Sequence, residues 1–176
     1  MDMSEIDKLP VVERFNRRVI LKVSEIIKVD DHPNGSLLYI LTLNVGNGEE
    51  RQIVSSIQPF YTKEELLHKK IVLVYNLKPA NFRGIRSNGM LLAASDPSVT
   101  DKETCEVIFA PQFEAGTVLE PEGFLPPEED FCYVKPDKFF EMPLYTKDGF
   151  VEIEGKKIGA DGKYLTVEKY LNGEVG

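Results

Sequence analysis

Residues 69–95 read KKIVLVYNLKPANFRGIRSNGMLLAAS. The stretch carries Lys69, Lys70, Lys78, Arg83 and Arg86 and no Asp or Glu, in a chain whose net charge is −8. Local positive charge in an acidic chain marks a surface kept for a polyanion. The stretch also predicts a shape. An apolar run from Ile71 to Tyr75 leads through Asn76, Leu77, Lys78 and Pro79 into a Gly/Asn-rich loop, and a second apolar run follows from Met90 to Ala94. The cations therefore belong to a loop held between two strands, where recognition groups are displayed.

Working outward, Val19, Leu21 and Val23 alternate with Ile20, Lys22 and Ser24, and Ile26, Ile27 and Val29 break the alternation. This predicts one long strand with a bend or bulge where the pattern slips. His32-Pro33-Asn34-Gly35 is a turn, because Pro fixes φ and Asn-Gly accepts left-handed angles. Leu38–Val45 and Arg51–Ser55 read as strands around a Gly46-Asn47-Gly48 turn. Thr62 is the N-cap of a short helix, with Glu65 completing a capping box. Three strands, a short helix and two strands is the order of an OB-fold, a five-stranded Greek-key barrel. The fold class is all-β, β-rich with short helices.

Three segments are expected: 1–17 as an N-terminal segment, 18–96 as the barrel, and 97–176 as a β-rich extension packed on it. In the first, Ser4 is the candidate helix cap and Pro10 forces a broken or late start. In the third, Val107–Phe109, Leu144–Tyr145, Val151–Ile153, Lys156–Ile158 and Leu165–Val167 read as short strands. Lys135–Glu141 reads as one or two helical turns, and the Pro-rich acidic run 120–130 as a surface loop. Charge follows the division: residues 17–96 carry net +3 and residues 97–176 net −9. Such asymmetry argues for two units with different work.

The chain has no apolar run near the roughly 20 residues that span a bilayer, and its acidic N-terminus lacks the core of a secretory signal. Cys105 and Cys132 are the only cysteines. They suit a reducing, cytoplasmic setting more than a disulfide framework. With His32 and His68 they show no metal-ligand spacing, so no metal and no cofactor are expected. No phosphate-binding glycine loop or synthetase catalytic motif is present, so an enzyme is not expected. The Glu49-Glu50 and Glu64-Glu65 pairs read as solvated faces.

Within the loop, Lys78 and Arg83 suit phosphate contacts, and Arg86 adds field. Asn76, Asn81, Ser87 and Asn88 offer neutral groups for bases or 2′-hydroxyls. Tyr39 and Phe82 are candidate stacking surfaces. Tyr39 and Met90 also suit a barrel core, Asn88-Gly89 a plain turn, and Lys69 and Lys70 solvated charge.

HPNGSLLY, IVSSI, TKEELLHKKIVLVYNLKP, FRG and SNGMLLAAS follow one another at the spacings of the tRNA-binding domain family. That family includes endothelial monocyte-activating polypeptide II and C-terminal modules of methionyl- and tyrosyl-tRNA synthetases. The resemblance runs gap-poor from about Leu21 to Ser95. It continues weakly from Cys105, where CEVIFAPQFEAGTVL is similar to the start of the extension of eukaryotic members. It implies an OB-fold that binds the outer, elbow side of tRNA by shape, with a methionyl or tyrosyl synthetase as partner. Bacterial relatives dimerise; in eukaryotic ones the extension replaces the second subunit, which implies a monomer. The recognition role falls on Asn76, Lys78, Arg83, Ser87 and Met90. Asn81, Phe82, Ser24-Glu25 and Ser36-Leu37 depart from the family pattern and remove at least two cations, so affinity is expected to be weakened and strongly salt-dependent. Met1 and the short leading segment point to a free-standing subunit. A protein-interaction or signalling module and a general single-stranded nucleic-acid binder are the alternatives.

Overall fold

The computed structural model describes residues 2–99, 104–126 and 131–176. Two helices open the chain, α1 (Met3–Ile6) and α2 (Val11–Arg18). Asp2, not Ser4, caps α1: its carboxylate accepts the Glu5 N–H, and Ser4 lies inside the helix. Pro10 precedes α2, as a residue with fixed φ and no N–H must. Val11, Val12 and Phe15 of α2 pack against the core.

The barrel starts with β1 (Leu21–Asp31), β2 (Tyr39–Asn44) and β3 (Glu50–Ser55), followed by α3 (Lys63–Leu66) and β4 (Lys70–Val74). The capping box of α3 is present in full at Thr62 and Glu65. β1 pairs with β2 along its second half and with β4 along its first, with a register shift between Ile26 and Lys28. That bulge explains the broken alternation. Before it, Leu21 and Val23 face an outer cluster while Ile26 faces the barrel interior; after it, Val29 packs against the interior. β4 is buried on both faces: Ile71 and Leu73 point inward, Val72 and Val74 outward. This is why its run is continuously apolar.

Residues 80–87 differ from expectation. They are not an open loop but a hairpin of β5 (Ala80–Phe82) and β6 (Ile85–Ser87). The second apolar run is also divided, into β7 (Met90–Leu91), which pairs with β4, and β8 (Ala93–Ser95), which pairs with β9 (Glu106–Val107). The barrel closes against β3, where the Asn88 N–H donates to the Gln52 carbonyl at 2.9 Å.

The extension continues with β10 (Val118–Pro121), α4 (Pro136–Phe140), β11 (Leu144–Lys147), β12 (Phe150–Ile153), β13 (Lys156–Ala160), β14 (Lys163–Tyr164) and β15 (Glu174–Val175). The strand expected at 165–167 is replaced by β14 just upstream, with a single bridge from Phe150 to Thr166. Residues 120 and 121 of the expected acidic loop are the end of β10, and 127–130 lie outside the described residues. The sheet is continuous: β10 joins β1, and β15 joins β8. The outer faces of β1 and β4 share one apolar cluster with Phe15, Leu119, Phe139, Val151 and Ile158.

One carboxylate secures the end of this sheet. Glu106 is 8% exposed and accepts the backbone N–H groups of Glu168 at 2.7 Å, Lys169 at 2.8 Å and Tyr170 at 3.2 Å. Cys105 beside it is half-buried, and burial pushes its thiol up to about 11, which leaves it unreactive.

Candidate nucleic-acid interface

The hairpin turns on Arg83 and Gly84, with φ of 51° and 90°. Two left-handed residues between directly paired Phe82 and Ile85 form the hairpin turn whose twist matches the strands. Gly accepts that angle freely. Arg does so at a cost of about 1–2 kcal/mol, so the surroundings must hold it there. They do so through the turn at 32–35. The Arg83 guanidinium donates to the Asn34 carbonyl at 3.3 Å. His32, 5% exposed, accepts the Asn34 N–H at Nδ1, 3.0 Å away. Its proton therefore sits on Nε2, which donates to the Phe82 carbonyl at 2.7 Å. From sequence, His32 belongs only to a turn. No periodicity signals a buried histidine that pins a loop fifty positions downstream.

Pairing decides which side chains face out. Asn81 and Arg86 lie opposite each other and share one face; Ala80, Phe82, Ile85 and Ser87 share the other. Lys78, Arg83 and Arg86 are exposed. Among the described residues no carboxylate forms an ion pair with any of the three. The Arg86 Nε donates to Asn88 Oδ1 at 3.1 Å, which orients its guanidinium. Phe82 is 43% exposed, so a ring is available beside the cations.

Three other residues from the sequence reading point inward instead. Asn76 is 2% exposed. Its amide donates to the carbonyls of Arg18 at 2.8 Å and Cys132 at 2.9 Å and accepts the Ile20 N–H at 2.9 Å. Ser87 is buried; its Oγ accepts the Val54 N–H and donates to the Gly89 carbonyl, tying the hairpin to β3. Tyr39 is 5% exposed in the barrel core and donates its hydroxyl proton to the Tyr61 carbonyl. All three side chains are engaged by the fold, and their contribution is to position the surface above them. Met90 likewise packs on the outer cluster.

A second charged group lies at the end of the barrel. The Lys22 Nζ and Arg51 Cζ lie 3.9 and 3.7 Å from the Tyr75 ring centroid. Glu49, read from sequence as solvated, accepts from the Tyr75 hydroxyl at 2.6 Å and from the Arg51 Nε at 2.9 Å. Burial pushes the Glu49 carboxyl up, but those two hydrogen bonds and the Arg51 and Lys22 charges outweigh it and hold the group below its usual value. A lowered folded pKa means these contacts stabilise the fold above the ordinary carboxylate range and are lost as pH falls through the lowered value. A carbon-detected NMR titration should therefore give Glu49 a midpoint below that of a free glutamate, and Tyr75→Phe should move it upward.

Residues 21–117 match the family described as a putative tRNA binding domain, and the chain belongs to that family. It is 41% identical over 179 residues to the methionine–tRNA ligase of Treponema denticola, covering 96% of this chain and 23% of the ligase. The chain thus spans less than a quarter of that relative's length. Among solved structures, the C-terminal domain of Plasmodium vivax p43 superposes with a TM-score of 0.78 at 25% identity, over 92% of this chain and 98% of that one. The MetRS related protein from Pyrococcus horikoshii gives 0.51 at 31% identity, over 67% of this chain and 95% of that one. The first likeness extends through the β-rich extension; the second covers a shorter span. No described helix is long and apolar enough to cross a membrane.

Proposed function

We propose that this chain is a non-catalytic tRNA-binding module that acts within or beside a methionyl-tRNA synthetase. The observation that carries this reading is the exposed Arg83 and Arg86 on a pinned hairpin with exposed Lys78 just before it, inside the family match and clear of carboxylate partners among the described residues. Cations on a rigid hairpin read the spacing of phosphates, hence shape more than base sequence. Lys78 and Arg83 take phosphates, Arg86 supports them, and Phe82 stacks on a base or ribose. Asn76 and Ser87 position the hairpin from beneath. The module raises the concentration of tRNA near the enzyme and does no chemistry itself. The methionyl partner is favoured over the tyrosyl one by the ligase relatives. The proposed module is a cytoplasmic monomer, and the pairing of the extension with β1 and β8, which covers strand edges of the barrel, supports the monomeric state. Light scattering that gives twice the chain mass would contradict that state.

The test is titration of unfractionated tRNA. Lys78→Ala with Arg83→Ala should weaken binding about tenfold or more at low salt and lower the salt slope by about 1.4–1.8, the value of two phosphate contacts. Equal binding by wild type and double variant would remove the hairpin from the interface. Poly-uridine competing as well as tRNA would favour general single-strand binding instead.

A further inference from the structure

We propose that the nucleic-acid surface continues from the hairpin onto residues 131–135 of the extension, which form a stacking platform for an unpaired base. This rests on the tRNA reading above and adds a contact of a different kind. The segment is joined directly to the base of the hairpin. Leu77 and Val134 form a parallel bridge, the Lys78 N–H donates to the Val134 carbonyl at 2.8 Å, and the Val134 N–H donates to the Asn76 carbonyl at 2.8 Å. Val134 is fully buried, so its neighbours Tyr133 and Lys135 are turned outward.

What is turned outward is aromatic. Phe131 is 44% and Tyr133 51% exposed, with ring centroids 5.0 Å apart at 81°. Phe131 also meets Tyr75 edge-on at 5.9 Å. The Tyr75 ring is already engaged by Lys22 and Arg51, so the free ring faces belong to Phe131 and Tyr133. Two adjacent rings held in solvent are costly unless something covers them. The charge nearby selects the ligand: Lys135 follows the rings in the chain and Lys78 is bonded to Val134 between Tyr133 and Lys135, both lysines are exposed, and Glu49 beside Tyr75 is taken up by Arg51. Aromatic faces among cations are what a single-stranded nucleotide stacks on. Glu128, Glu129 and Asp130 precede Phe131 in the sequence. In this proposal Lys78 holds a phosphate, and the contact at the rings is made by a base.

Phe131→Ala with Tyr133→Ala, in the full chain, tests this against two RNAs: intact tRNA, and a blunt RNA duplex that has no unpaired base. Intact tRNA should bind the variant about five- to a hundredfold more weakly, the worth of one stacked base. The duplex should bind wild type and variant alike, and Phe131→Tyr with Tyr133→Phe should restore tRNA binding. A 2-aminopurine placed in turn at the unpaired positions of the tRNA should be quenched at one of them by the wild-type protein, a readout that needs no variant. Equal loss with both RNAs, or unquenched probe, overturns the platform while leaving the hairpin reading intact. If wild type binds neither RNA, the tRNA reading itself falls.

Discussion

Asn76→Ala lowers the melting temperature by about 10 °C, and any loss of tRNA affinity follows from that loss of structure. The side chain is 2% exposed and its amide joins three backbone groups from separate parts of the chain: Ile20 before β1, Arg18 at the end of α2, and Cys132 in the extension. Truncation leaves one N–H and two carbonyls without their protein partner. A buried orphan costs about 1–3 kcal/mol, and the three together about 3–5 kcal/mol. In a chain of this size each kcal/mol moves the melting temperature by about 2–4 °C. Lys78→Ala, on the exposed face, should leave melting within about 0.5 kcal/mol of wild type. Calorimetry beside a tRNA titration separates the two roles. Unchanged melting with lost binding in Asn76→Ala would return that residue to the RNA contacts.

Glu106→Ala should be comparably damaging, and Glu106→Gln informative. In the native fold one carboxylate oxygen accepts from Lys169 and Tyr170 and the other from Glu168. Glutamine can keep the first pair, but its NH2 then faces the Glu168 N–H, donor against donor. The expected cost is about 2–4 kcal/mol for glutamine and more for alanine, which abandons all three donors. β15 follows a few residues later and pairs with β8, so release of this turn loosens the sheet at the same point. Hydrogen exchange should show faster exchange at 168–170 and at the β15 amides in Glu106→Gln. If those amides stay protected and the denaturation midpoint stays put, Glu106 is not the anchor.

The barrel strands were legible because their alternation, and its failure at Ile26–Lys28, are written in residue type. The capping box at Thr62 and Glu65 was legible for the same reason. What escaped depends on partners far along the chain. Nothing local distinguishes Asn76, a polar residue at the edge of a basic loop, from one that faces solvent. Its burial is decided by Arg18, Ile20 and Cys132. Ser87 is drawn inward by the strand closure at Val54. The hairpin was hidden because its turn uses Arg83 where Asn or Gly is the familiar signal, and His32 supplies the missing restraint. Lys78, Arg83 and Arg86 were legible as charge, since charge without a nearby opposite stays exposed.

The place of β1 in the sheet bears on how the chain is made. Leu21 pairs with Val74 on one side and with Leu119 on the other. In vectorial synthesis β1 emerges before its sheet neighbours in this domain, and the last of them arrives nearly a hundred residues later. For that interval the first residues of β1, Leu21 to Val23, wait with one edge unpaired, the condition in which nascent chains pair with one another. Refolding dominated by such distant pairings is slow, in the range of milliseconds to seconds. Yield at high protein concentration should then depend on how soon residues 118–121 reach β1.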